Sequence, residues 1–233
     1  MKTNSNTRRG FTLVELLVVI VIIASLAGLT APMVIRQRKK ADQTEATNNA
    51  RQIGLAMFEF ETEYGTFPDD DTSTEVLNEQ TYTLGSGSSN DYFRQIMAAD
   101  ITQSETMFWA KSEISGTKPD GNIQGASALE AGEVGFGYLM RAAGEGLSTA
   151  GNPGRVIVAT PMLPGGATFD PDPYDKKAVV LRIDNSVNSL SINQSGEAIL
   201  VRDGSNSKTL LESGADTVWG SSITPVIIGP LEQ

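Results

Sequence analysis

The sequence predicts an α+β protein: a long N-terminal helix, first apolar and then amphipathic, packed against a small antiparallel β-sheet with irregular loops. Three observations carry this reading. From Leu16 to Ile35 twenty residues pass without a charge. Between Ala46 and Tyr64 apolar residues recur at spacings of three and four, which places them on one helix face. Between Ala178 and Arg202 three short segments of β character are separated by turn residues.

The apolar segment comes first. A short basic stretch, residues 1–10 with Lys2, Arg8 and Arg9, ends at Gly10. The apolar run that follows is interrupted only by Ser25, Gly28, Thr30 and Pro32. Twenty residues at ~1.5 Å each give ~30 Å, the thickness of a bilayer core, so residues 11–35 are expected to insert into a membrane as a helix. Glu15, near the start of that helix, is the anomaly. A carboxylate at mid-membrane costs on the order of 2.5–3.5 kcal/mol, less when it lies one turn in, and it needs a cationic partner. A cut after Gly10 would supply one, because Phe11 would then carry a free ammonium one turn from Glu15.

Arg9-Gly10-Phe11-Thr12-Leu13-Val14-Glu15 resembles the cleavage and methylation signal of type IV prepilins and type II secretion pseudopilins. The resemblance implies a roughly ten-residue leader removed by a membrane prepilin peptidase after Gly10, methylation of the new Phe11 amine, and pairing of Glu15 with a neighbouring subunit's N-terminus. It implies a pilin-like fold and a structural role in a filament, not an enzyme. Implied partners are the prepilin peptidase, copies of this chain and other pilin-like subunits, an inner-membrane assembly platform, and membrane lipid before assembly. The implied location is a bacterial inner membrane, single-pass, with the leader cytoplasmic and the remainder periplasmic, then a filament. Glu15 and Pro32 are the candidate assembly residues of the apolar helix.

Three other readings of this segment fit less well. A secretory signal peptide with a cut near Ala31 would place Pro32 just after the cut, and its apolar core would be unusually long. An ordinary single-span anchor leaves Gly10 and Glu15 without a role. A buried helix of a soluble protein does not need so long an uncharged run.

Composition narrows the function classes. The chain has no cysteine and no histidine, which excludes disulfides, thiolate metal sites, histidine-ligated zinc and Ser-His-Asp or Cys-His catalysis within it. From Ala41 onward there are 11 Lys+Arg against 27 Asp+Glu, a net of −16, a surface that repels nucleic-acid phosphates. Arg36, Arg38, Lys39 and Lys40 follow the apolar run and balance the basic start, so charge bias alone does not choose a membrane orientation.

Residues 36–65 are expected to continue the helix. Ala46, Ala50, Ile53, Met57, Phe60 and Tyr64 form its apolar stripe, Gly65 caps it and Pro68 stops it. From Phe11 to Tyr64 that is 54 residues, or ~80 Å of helix. Pro32 removes an amide donor, so a kink or local opening is expected there, helped by Gly28. The Gly65-Thr66-Phe67-Pro68 exit resembles that of major pseudopilins. With the absence of the paired cysteines common in pilins, it favours a type II secretion pseudopilin. A type IV pilin of a surface pilus is the alternative, and a membrane-tethered binding or catalytic domain that shares only the export signal is the competing class.

Residues 66–233 form the head. Asp69-Asp70-Asp71 reads as a solvated acidic run. A short helix from Asp91 to Ala99, capped by Ser89 or Asn90, is expected to bury Tyr92, Phe93, Ile96 and Met97. Phe108-Trp109 and Val134 to Leu139 read as buried strand material. Ala178–Ile183, Val187–Ile192 and Glu197–Arg202 are expected to form a three-stranded meander over Ile53, Met57 and Phe60, with Trp219 and Val226 to Ile228 as a final apolar edge. Gly132, Gly135 and Gly137 do not complete a dinucleotide fingerprint and read as turn or bulge glycines. Asp170, Asp172 and Asp175 on a proline-rich loop are candidate calcium ligands, a metal that major pseudopilins hold in a late loop; a solvated acidic loop is the competing reading. No catalytic residue is selected by any motif.

Overall fold

A computed structural model of the protein describes residues 11–79, 81–201 and 207–232. The leader with Gly10, and Arg202 at the end of the expected third strand, lie outside the described residues. The chain divides into two compact units, Met1–Lys39 and Lys40–Gln233.

Helix α1 runs from Leu13 to Tyr64. Its apolar part satisfies its own polar interruptions: Ser25 Oγ donates to Val21 O (2.8 Å) and Thr30 Oγ1 to Leu26 O (3.0 Å). Helix α1 continues through Pro32, which lies inside it. Loss of one amide donor at Pro32 is absorbed without ending the helix. Residues 11–38 are all exposed in the single chain.

In the second unit the stripe on α1 is buried as expected: Ala46, Ala50, Ile53, Met57 and Phe60 lie in the core, and Tyr64 stacks on Phe60 with ring centroids 4.6 Å apart. Gly54 lies against Asn185 and Leu181, and any Cβ there would collide with the Asn185 side chain. The missing side chain lets the helix approach the sheet's hairpin turn. Gly65 ends α1 with φ +81°, a conformation that favours glycine.

Two short helices follow, α2 (Thr72–Glu75) and α3 (Ser89–Ala98). The cap of α3 is Ser88, not Ser89 or Asn90: Ser88 Oγ accepts from Asp91 N (3.3 Å) and Asp91 Oδ2 accepts from Ser88 N (3.0 Å). Placing Asp91 at the third helical position lets its carboxylate reach back, which fixes the start two residues earlier than expected. Tyr92, Phe93, Ile96 and Met97 are buried as expected. Phe108 is buried but belongs to a 3₁₀ turn, Glu105–Phe108, and not to a strand.

The main sheet is antiparallel throughout. Its strands are β1 (Gly137–Met140), β2 (Val156–Thr160), β3 (Lys177–Arg182), β4 (Val187–Ser191) and β7 (Val226–Ile228), in the order β4-β3-β2-β1-β7. The β3–β4 hairpin and the β7 edge match expectation. The third meander strand does not join this sheet. Strand β5 (Ile199–Val201) instead pairs with β6 (Lys208–Thr209). The hairpin after β4 keeps one antiparallel bridge, Ile192 with Ala198, while Leu210 N donates to Ala198 O (2.8 Å) and Phe169 N to Gly196 O (2.7 Å), so the chain beyond the turn pairs with β6. Trp219 seals this satellite by donating Nε1–H to Leu210 O (2.7 Å) instead of extending the β7 edge.

Candidate assembly site

Helix α1 starts at Leu13, so Thr12 is the residue before the first turn and Glu15 is the third residue within it. Glu15 Oε2 accepts from Thr12 N (2.9 Å) and from Thr12 Oγ1 (2.8 Å), and Glu15 N donates to Thr12 Oγ1 (3.2 Å). This is a reciprocal cap of the Thr-x-x-Glu type, in which two otherwise orphaned amide donors find oxygens. In the single chain Glu15 therefore has polar partners within its own first turn. Phe11, 80% exposed, lies next to this cap. A carboxylate at the first turn also sits at the positive end of the helix dipole.

The apolar surface behind the cap is continuous. Every large apolar residue from Leu13 to Ile35 is exposed, and α1 is long and apolar enough to cross a membrane. Water is a poor solvent for such a surface. Its natural surroundings are lipid or other apolar helices. Pro32 lies on this exposed part of α1. Directly after it come Arg36, Arg38 and Lys40, exposed, with no side-chain ion pair among the described residues.

The acidic residues of the head are used differently from their sequence pattern. Asp69 is buried and its Oδ1 accepts from Thr72 N (2.8 Å), while Asp70 Oδ1 accepts from the Tyr92 hydroxyl (2.9 Å), so the run is only partly a solvated face. In the late loop, Asp172 N donates to Asp170 Oδ1 (2.8 Å), and Asp172 and Asp175 are exposed. Among the described residues, the carboxylates that gather with their oxygens within 4.8 Å are Glu105, Asp120 and Glu133, and not Asp170, Asp172 and Asp175.

Glu105 and Glu133 serve as clasps for backbone. Glu105 accepts from Leu129 N (2.8 Å) and Gly121 N (3.0 Å), and Glu133 accepts from Glu130 N (2.8 Å) and Asp120 N (3.1 Å). Burial pushes the Glu105 carboxyl above its ordinary range; Glu133 and Asp120 add to this, and the two backbone amides oppose it. Three of the four partner amides lie thirteen or more residues away, so little in the local sequence marks these residues.

Comparison with known proteins agrees with the N-terminal geometry. Residues 5–31 match the model of the prokaryotic N-terminal methylation motif. The chain is 33% identical over 75 residues to the type II secretion system core protein G of Escherichia coli (strain K12), which covers 32% of this chain and 52% of that protein. It is 32% identical over 68 residues to the protein of the same name from Vibrio cholerae, covering 29% and 47%, and 31% identical over 70 residues to that of Pectobacterium carotovorum, covering 30% and 45%. The chain thus spans about half the length of the relatives it matches, and the match takes up about a third of its own. No solved structure matches the chain.

Proposed function

We propose that this pilin-like chain is a structural subunit of a type II secretion pseudopilus, exported as a prepilin and assembled through α1. The observation that carries the reading is one carboxylate, Glu15, in the first turn of an otherwise uncharged helix whose whole apolar surface is uncovered in the single chain. Gly10 is the residue after which the peptidase cuts, and Phe11 is the methylated N-terminus. The apolar helices of successive copies pack into a filament core, and Glu15 meets a neighbour's Phe11 ammonium there. Pairing the two charges offsets the cost of burying either one alone.

The same reading sets location and partners. The precursor spans the inner membrane once, with the leader cytoplasmic and the head periplasmic, and passes to an assembly platform and to other pilin-like subunits. The head contributes surface to the filament and performs no catalysis. The names of the relatives favour a secretion pseudopilus over a surface pilus. Imaging cells with and without the gene for fibres, alongside a secretion assay, tests this: lost secretion without lost surface fibres is expected. Lost surface fibres with normal secretion would assign the chain to a pilus instead.

A further inference from the structure

Five of the head's cations are paired. Arg94 pairs with Asp91, Lys111 with Asp42, Lys118 with Glu45, Arg141 with Glu145 and Lys208 with Glu212, at 2.7–3.0 Å. The two carboxylates that follow the basic collar most closely in sequence, Asp42 and Glu45, are therefore taken by lysines of the head. Arg36, Arg38 and Lys40 of the collar remain exposed with no ion pair among the described residues. If the head lies outside the membrane, these cations also sit on the side that the usual charge bias disfavours. A cluster kept against that bias calls for a use.

At the end of α1 lies a cavity of about 240 Å³. Glu63, Glu79 and Asp100 line it, and no basic residue does among those described. Its apolar lining comes from Tyr64, Leu77 and Ala98. Leu77 is 70% exposed, one of the few large apolar side chains left open in the head. An apolar wall edged by carboxylates suits one kind of side chain: a methylene stem with a cationic tip, as in arginine or lysine.

We propose that this cavity receives Arg36, Arg38 or Lys40 of a second copy of the chain. The inference rests on the reading that copies assemble through α1, and adds which head surface meets which part of the neighbouring helix. It commits to a second copy because the charges of Arg36, Arg38 and Lys40 and of the cavity are complementary, and because those cations lie on the helix through which copies are read to pack.

The chain has no cysteine, so single cysteines report contacts cleanly. Full-length Arg38→Cys and Leu77→Cys, carrying different tags, are co-expressed and treated with a short bis-maleimide. A heterodimer is expected in assembled filaments and not in detergent-dissociated subunits. In parallel, Glu63→Lys/Glu79→Lys is expected to raise the concentration needed for assembly by roughly tenfold, the scale of one or two good charge pairs. Adding Arg36→Glu/Arg38→Glu to it is expected to restore assembly, which a folding defect would not allow. Filaments that form normally with no crosslink and no response to charge reversal would overturn the inference and leave the assembly reading intact. The inference is equally overturned if collar reversal alone matters and instead weakens binding to anionic phospholipid vesicles. Wild-type chains that never assemble would sink both.

Discussion

Glu15 and Thr12 hold each other: the Glu15 carboxylate accepts from both the amide and the hydroxyl of Thr12, at 2.9 and 2.8 Å, and the Glu15 backbone amide donates to that hydroxyl oxygen. The residue expected to neutralise a neighbouring subunit is thus first the cap of its own helix. This arrangement eases the cost of a carboxylate near the membrane before any neighbour arrives, since its oxygens already carry two donors. On the proposed reading, assembly would add a full positive charge to a group that is held in place. Thr12→Val removes the hydroxyl and should cost about 1 kcal/mol of local helix stability. Amide exchange of the first turn in detergent should accelerate, with cleavage unchanged; exchange equal to wild type would show that the cap has no weight.

Processing gives a second prediction. Intact mass of membrane-extracted protein should show loss of residues 1–10 and gain of one methyl group. Gly10→Val should leave the full-length precursor, because a branched side chain crowds the scissile backbone. A mature protein that begins near Pro32 would point to an ordinary signal peptide.

The second compact unit, Lys40–Gln233, should fold without the apolar segment. A fragment starting at Ala41 is expected to be acidic, soluble and cooperative in urea. Ile53→Ala or Phe60→Ala, both at fully buried positions, should each cost about 2–5 kcal/mol. Gly54→Val should cost about 1–3 kcal/mol by overpacking against Asn185. If all three leave the urea midpoint unchanged, α1 is not packed on the head as described.

Glu105 makes the stability of that fragment depend on pH in a defined direction. Its folded-state pKa lies above the ordinary 4.5, so ionisation is harder in the folded state than in the unfolded one. The resulting penalty is absent below 4.5 and grows as pH rises through the raised value. Wild type should therefore lose stability relative to Glu105→Gln as pH increases from 4.5 toward neutral, measured as the difference between their urea midpoints. Glu105→Ala should in addition leave the Leu129 and Gly121 amides without acceptors, at about 1–3 kcal/mol for each buried donor. A midpoint difference between wild type and Glu105→Gln that is flat with pH would remove the burial argument.

Legibility in the sequence followed the range of the interactions. The apolar span and the stripe through Ile53, Met57 and Phe60 are periodic, so neighbours in sequence reveal them. The β3–β4 hairpin has its turn, Asp184-Asn185-Ser186, between its strands. By contrast β2 is buried on both faces and shows no alternation, although Pro153-Gly154 and Pro161 bound its apolar run. The pairing of β7 with β1 joins segments far apart in the chain, which no local pattern encodes. Ala198 still bridges Ile192 across the turn after β4, but the strand beyond it pairs with β6 instead of extending the meander, a choice that no local pattern marks. The Thr12–Glu15 cap was missed in the sequence, although its Thr-x-x-Glu spacing could have marked it; the backbone clasps of Glu105 and Glu133 left no such signal.

The central claim is that the charge on Glu15, beyond its capping oxygens, drives assembly, and Glu15→Gln isolates it. Glutamine keeps an oxygen for the Thr12 amide but offers no charge to a neighbour's ammonium; Glu15→Val removes both and makes membrane insertion easier. Sedimentation and negative-stain imaging of processed wild-type, Glu15→Gln and Glu15→Val chains compare them directly. The expected result is normal cleavage and insertion in all three, with filaments from wild type and few or none from either variant. Filaments from Glu15→Gln as abundant as those from wild type would contradict the claim and leave Glu15 a helix cap.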